Sequence, residues 1–103
     1  MENLQQFSIT ELRERGEMIS YNINFNLQEQ DEIMRDIKVF KNLIAKIEDD
    51  EVARYENIRD LGNYTRMITA LLERLDENLE KKEKLLQEKL DIIQENKRRG
   101  EVN

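Results

Sequence analysis

The strongest constraint on the fold is a long amphipathic pattern that runs from about residue 51 to residue 99. Side chains seven residues apart form a first stripe, apolar at five of six positions: Ile58, Thr65, Leu72, Leu79, Leu86 and Ile93. A companion stripe is aliphatic first and polar later: Leu61, Ile68, Leu75, Lys82, Lys89 and Asn96. This spacing predicts one long helix, or two helices that meet near Gly62, with an apolar side that other helices must cover.

Composition agrees with long, solvent-rimmed helices. The chain has 103 residues, enough for one domain with a modest core, and charged residues make up 39% of it against 38% hydrophobic. There is no proline, and the three glycines are the only strong helix breakers. We therefore predict an all-α fold: a helical hairpin or small bundle with a long, coiled-coil-like C-terminal helix.

The first helix has a recognisable start. Ser8 and Glu11 have the spacing of a capping box, and Phe7 and Leu12 stand where a hydrophobic staple would fix the entry of the chain. The helix is expected to run through Arg15 and to weaken at the following glycine.

Residues 19–27 alternate apolar and polar side chains without exception. The apolar members are Ile19, Tyr21, Ile23, Phe25 and Leu27. On a strand they would line one face, and a single strand would have to pair with a second copy or with the edge of a partner's sheet. A second interpretation continues the first helix, because Ile9, Leu12, Gly16, Ile19 and Ile23 also follow a helical spacing. The sequence leaves both open.

A further helix is expected over 28–48. Its apolar side chains follow a 4-3-4-3 spacing: Ile33, Ile37, Phe40, Ile44 and Ile47. Four consecutive acids follow at 48–51, where Asp49 or Asp50 can cap the next helix, so we predict a turn near 48–50. Because no glycine or proline stands there, an unbroken helix through the junction is the alternative. The last helix should end at the basic run 97–99, with Gly100 just beyond it.

Charge and missing residue types limit the functions open to the chain. The net charge is −6, and residues 1–50 hold eleven Asp and Glu against six Lys and Arg. An acidic chain is repelled by anionic membranes and by nucleic acid, so a basic protein partner is expected instead. No cysteine and no membrane-length apolar run are present, and we expect no signal peptide and a cytoplasmic protein. Ten asparagines and eleven isoleucines beside three alanines suit an AT-rich genome, such as that of a low-GC bacterium or a phage.

Enzymatic function is not expected. Histidine and cysteine are absent, which removes the commonest general base, the usual zinc ligands and most nucleophile pairs. A cluster of acids on neighbouring helical turns is the only chemistry that could hold Mg²⁺ or Mn²⁺: Glu73, Asp76, Glu77, Glu80 and Glu83. Basic residues interleave with these acids, which is typical of a solvated face. A metal-dependent hydrolase is therefore the weakest alternative, and no cofactor or metal is expected.

The functional hypothesis is a self-associating adaptor, assembly factor or inhibitor that binds a protein through its acidic N-terminal half. The expected oligomer interface, most simply of a homodimer, is Ile58, Leu61, Ile68, Leu72, Leu75, Leu79, Leu86 and Ile93. The expected partner-binding or pairing arm, within residues 1–27, is Phe7, Ile19, Tyr21, Ile23, Phe25 and Leu27. The alternative is a structural scaffold or spacer in which the long helix is the working part.

Overall fold

The computed structural model describes residues 4–100, and within that range the regular structure is entirely helical. A short 3-10 turn, Leu4–Gln6, precedes three helices: α1 (Ile9–Glu48), α2 (Glu51–Glu56) and α3 (Ile58–Arg98). The all-α, coiled-coil-like helical hairpin predicted from the sequence is confirmed.

The possible strand at 19–27 is wrong, because these residues lie inside α1. No strand exists elsewhere in residues 4–100 that could have paired with it. The helical spacing through Leu12, Gly16, Ile19 and Ile23 prevails, since on a helix it turns these side chains towards one face. The alternating apolar side chains of 19–27 consequently lie partly on the buried side of α1 and partly on its exposed side.

One expected helix start is absent. α1 continues through Gly16, where the helix was expected to weaken, and through residue 28, where a new helix was expected to begin. Gly62 lies within α3, so of the two alternatives left open at this glycine the helix is the continuous one. The interruption falls at Asn57 instead, where the side-chain Nδ2 donates to the Ala53 carbonyl oxygen at 2.7 Å. The Asn57 carbonyl oxygen in turn accepts from the Leu61 amide at 3.0 Å, so one residue ends α2 and starts α3.

The turn between α1 and α2 falls where the acidic run predicts it. Asp50 is the N-cap of α2, and its Oδ1 accepts from the Val52 and Ala53 amides at 3.0 and 3.4 Å. The carboxylate satisfies amides that would otherwise have no partner in the first turn, and its charge suits the positive end of the helix.

The outer ends of the hairpin also follow the sequence. The Ser8 Oγ accepts from the Glu11 amide at 3.1 Å, as a capping serine does. After α3 ends, Gly100 adopts φ +79°, the left-handed conformation that favours glycine. Its amide donates to the Lys97 carbonyl oxygen at 3.0 Å, which satisfies one of the last carbonyls of the helix.

The chain divides into two compact units. The turn unit comprises Gln28–Leu79, and the terminal unit comprises the described residues 4–27 and 80–100. In the turn unit a buried cluster of Ile33, Ile37 and Leu71 is flanked by Phe40 and Leu75. The Phe40 and Tyr64 rings lie 5.9 Å apart, which adds an aromatic contact near the turn.

The terminal unit has its own core. Its buried members are Leu12, Ile19 and Ile92. The partly buried side chains of Leu4, Phe7, Ile23 and Leu85 pack against them. The contact of Phe7 with this cluster agrees with the predicted hydrophobic staple onto Leu12. In each unit the α1 segment lies antiparallel to the α3 segment, as a hairpin requires.

A buried amide interrupts the apolar packing of the turn unit. Asn78 is only 2% exposed, and its Nδ2 donates to the Glu29 Oε1 at 3.1 Å. It stands three residues after Leu75, where helical spacing would place another apolar side chain. Such a polar residue in a helix–helix seam specifies the register at a cost in stability, because a shifted pairing would leave the amide without its partner.

Candidate interaction surfaces

The companion stripe of α3 is used partly within the chain itself. Leu61, Ile68 and Leu75 are half-buried in the turn unit, and Leu75 packs against the Ile33 cluster. In the terminal unit the same stripe continues as Lys82, Lys89 and Asn96, all half-buried. Leu61, Ile68 and Leu75, which belong to the expected oligomer interface, therefore offer a second copy less surface than the first stripe does.

The first stripe of α3 is exposed throughout. Its six positions, which we call the α3 stripe, are Ile58, Thr65, Leu72, Leu79, Leu86 and Ile93. Leu72 and Leu79 are 47% and 40% exposed although both are leucines on a continuous helix. Exposed apolar side chains in a regular row mark a surface that another molecule can cover.

The expected partner-binding arm is split by the helix. Ile19 is buried in the core of the terminal unit, and Phe7 and Ile23 pack against that core. Tyr21, Phe25 and Leu27 are exposed on other sides of α1. Three of the six residues are thus committed to the fold, and three remain on the surface.

Two of the exposed residues belong to an acidic and aromatic surface on α1. Met18, Tyr21 and Phe25 follow helical spacing, and Tyr21 and Phe25 are 67% and 60% exposed. Glu14 and Glu17 adjoin them, and both line a shallow depression with Met18 and Tyr21. We call these five residues the acidic aromatic patch. Aromatic side chains carry large contact areas at interfaces, and the two carboxylates favour a cationic neighbour.

A carboxylate that sequence analysis missed organises the end of α3. Glu95 is 8% exposed and accepts from both arginines that follow it. Arg98 makes a bidentate pair, with Nε to Oε2 at 2.7 Å and Nη2 to Oε1 at 2.6 Å, and the Arg99 Nε donates to Oε1 at 3.1 Å. The bonds from Arg98 and Arg99 outweigh burial and lower the pKa of Glu95 from 4.5 to about 2.

Arg99 also connects the end of α3 to the start of the described chain. The Arg99 Nη2 donates to the Leu4 carbonyl oxygen at 3.0 Å. Nearby, the Lys89 Nζ donates to the Gly16 carbonyl oxygen at 3.2 Å. The basic residues of this unit therefore make structural contacts in the hairpin. The 3- and 4-residue spacing of Glu95 from Arg98 and Arg99 was the available signal, because it places the three side chains on one helical face.

A groove of about 440 Å³ lies in the terminal unit. Its polar lining carries both signs of charge: Arg15, Lys84, Glu88 and Asp91. Leu4, Ile19 and Ile92 form its apolar lining. The mixed charge selects neither an anion nor a cation, so the groove carries no ligand assignment.

Residues 4–100 contain no group of three or more acidic side chains placed so that they could hold a metal ion. No described helix combines the length and the apolar character that a membrane span needs. Comparisons with protein-family models, curated proteins and solved structures find no match to this chain.

Proposed function

We propose that this chain is a non-enzymatic interaction module that associates with itself along the α3 stripe and binds a basic protein segment through the acidic aromatic patch. The observation that carries the proposal is the distribution of apolar side chains. Each unit already has its own buried core, yet large apolar residues also occupy outward-facing positions on both long helices.

The acidic aromatic patch supports a cationic partner with an apolar anchor. Tyr21 and Phe25 supply ring faces, and Glu14 and Glu17 supply the charge. A lysine or arginine stem can cover a ring while its charged head meets a carboxylate. A basic amphipathic helix presents both features along one side, and we name it as the occupant.

A defined peptide pair tests this part of the proposal. Two synthetic amphipathic helices of equal length and equal leucine content, one rich in lysine and one rich in glutamate, are titrated calorimetrically into the protein. We expect only the lysine-rich peptide to bind, more weakly as salt rises. The double substitution Tyr21→Ala with Phe25→Ala should weaken binding about tenfold or more, since aromatic anchors dominate interfaces.

Tyr55 provides the matched control. It is the most exposed tyrosine, at 81%, and it lies on α2 outside the patch. Tyr55→Ala should therefore leave peptide binding unchanged. If the two peptides bind equally well, or if the patch and control variants lose the same peptide affinity, the acidic aromatic patch is not the binding site for a basic segment. Point substitutions are preferable to deleting residues 1–27, because α1 supplies Leu12 and Ile19, two of the three buried residues of the terminal-unit core.

Self-association has its own test. Sedimentation equilibrium at micromolar concentration should give twice the chain mass, and Leu72→Glu should shift the molecule towards the monomer because a charge is placed in the stripe. Met67→Glu is the matched control, since Met67 is similarly exposed on α3 but outside the stripe. A wild-type protein that sediments as a monomer would contradict self-association.

A further inference from the structure

We propose that two copies pair through α3 in an antiparallel arrangement, with Leu72 of one copy opposite Leu79 of the other. This inference rests on the self-association proposed above and adds the partner element, its direction and its register. It follows from the surface that one copy leaves exposed, from the composition of the stripes on the two long helices and from the symmetry of the α3 stripe.

The exposed apolar row favours a second copy. Leu72, Leu79 and Leu86 are 47%, 40% and 50% exposed on one continuous helix, and no position of the α3 stripe carries a charge. A second copy presents the same uncharged row, so the two rows can cover each other. A basic peptide would instead place charged groups against these leucines, where the charges would lose water without gaining a partner.

The composition of the stripes selects α3 as the element that meets α3. Five of the six α3-stripe residues are apolar. The stripe in the corresponding position beside the α1 seam is mixed: Arg13, Ser20, Leu27, Met34 and Lys41. Packing α3 on the partner's α1 would place leucines against Arg13, Ser20 and Lys41, and the charged groups would lose water without gaining a partner. Packing α3 on α3 places apolar residues against apolar residues.

Symmetry then gives the direction and the register. A two-fold interface is isologous, so each contact between two positions occurs twice. The midpoint of the α3 stripe lies between Leu75 and Asp76. An antiparallel pair centred there matches all six positions: Ile58 with Ile93, Thr65 with Leu86, and Leu72 with Leu79. A shift by seven residues leaves one end of each stripe uncovered, and a parallel pair aligns the two helix dipoles unfavourably.

Cysteine cross-linking tests the register directly, because the native chain contains no cysteine. Leu72→Cys and Leu79→Cys are prepared as separate proteins of different tag length and oxidised alone and mixed. We expect a disulfide in the mixture that joins the two different proteins, and little in either protein alone. Equivalent residues would stand about 10 Å apart along the axis, seven residues at about 1.5 Å each, which is too far for a disulfide.

The controls separate the two levels of the proposal. Met67→Cys, outside the stripe, should cross-link with neither protein, and circular dichroism of each variant confirms that it remains helical. A wild-type monomer in sedimentation overturns self-association and this inference together. A wild-type dimer whose Leu72→Cys variant cross-links to itself, or whose mixture gives no disulfide, overturns the antiparallel register and leaves self-association standing.

Discussion

The turn unit and the terminal unit have different types of side chain along the companion stripe of α3, the position that repeats every seven residues. In the turn unit the position holds Leu61, Ile68 and Leu75, which are half-buried beside an apolar cluster. In the terminal unit it holds Lys82, Lys89 and Asn96, which are half-buried as well. The pattern of burial continues along the helix while the side chains change from aliphatic to polar.

This difference shows that two types of contact can hold a pair of helices together, aliphatic packing and directional polar bonds. Aliphatic packing is non-directional and does not depend on pH. A lysine instead lays its methylene groups along the seam and sends its ammonium to a specific acceptor, as Lys89 does at the Gly16 carbonyl oxygen. The Glu95 cluster adds further directional contacts in the same unit. We therefore expect salt and acid to affect the terminal unit more than the turn unit.

The largest effect is expected from the core of the turn unit. Ile33 is 1% exposed, so Ile33→Ala removes buried methyl groups and leaves a cavity. The free energy of unfolding in urea should fall by about 2–5 kcal/mol. Met34→Ala, at an exposed neighbour, should change it by less than about 0.5 kcal/mol. If the two variants lose equal stability, the turn unit is not held by its apolar cluster.

Glu95→Gln tests the directional contacts of the terminal unit. The variant should unfold at a lower temperature than the wild type at pH 7, because Arg98 and Arg99 lose their carboxylate. The folded-state pKa of Glu95 lies below its ordinary value, so its contribution is complete above about pH 4.5 and is lost as the pH falls through about 2. Thermal unfolding followed from pH 7 to pH 2 should show the two curves converging. A difference in unfolding temperature that stays constant with pH would show that the charge of the Glu95 carboxylate does not cause the stabilisation.

The glycines of the two units should respond differently to alanine. A Cβ at Gly62 would meet nothing within 4 Å, so Gly62→Ala should raise the free energy of unfolding by about 1 kcal/mol through helix propensity. A Cβ at Gly16 would lie 3.3 Å from the Lys89 Nζ, which has to shift. Gly16→Ala should therefore raise the free energy of unfolding by less than Gly62→Ala does. Equal gains in chemical denaturation would show that the Lys89 contact contributes little to stability.

The smallest effect concerns Lys89 itself. Lys89→Met retains a long, flexible side chain but removes the charge, and it makes the position resemble Leu75 in the turn unit. A lysine at a seam position costs stability, so the variant should unfold at a slightly higher temperature than the wild type. The gain should be smaller than that of Gly62→Ala. A decrease would mean that the bond to the Gly16 carbonyl oxygen outweighs the cost of placing a charge in the seam.

Local signals predicted the ends of the helices well. Ser8, Asp50 and Gly100 each satisfy the backbone at a helix end through their own atoms, so neighbouring residues are enough to recognise them. The break at Asn57 was not predicted, because an asparagine in a long helical pattern usually faces water. Only the hydrogen bond from the Asn57 side chain to the Ala53 carbonyl oxygen, seen in the structure, shows that Asn57 ends α2 and starts α3.

Long-range choices were harder to predict. The alternation at 19–27 is a genuine strand pattern, and only the absence of a pairing strand in residues 4–100 together with the contacts of Ile19 with Ile92 decides for a helix. Two stripes of α3 were visible in the sequence, but periodicity alone does not say which one faces α1. The structure packs the half-buried Leu75 against the Ile33 cluster and leaves Leu72 exposed, which depends on where α1 packs.

The bond from Arg99 to Leu4 has a consequence for engineering the chain. Because the guanidinium reaches the Leu4 carbonyl oxygen at 3.0 Å, the backbones at Leu4 and Arg99 lie within the length of one arginine side chain, and a short peptide linker can join these two residues covalently. New termini can then be opened at the exposed turn Asp49–Asp50. A circularly permuted chain built on residues 4–99 would reverse the order in which α1 and α3 are synthesised.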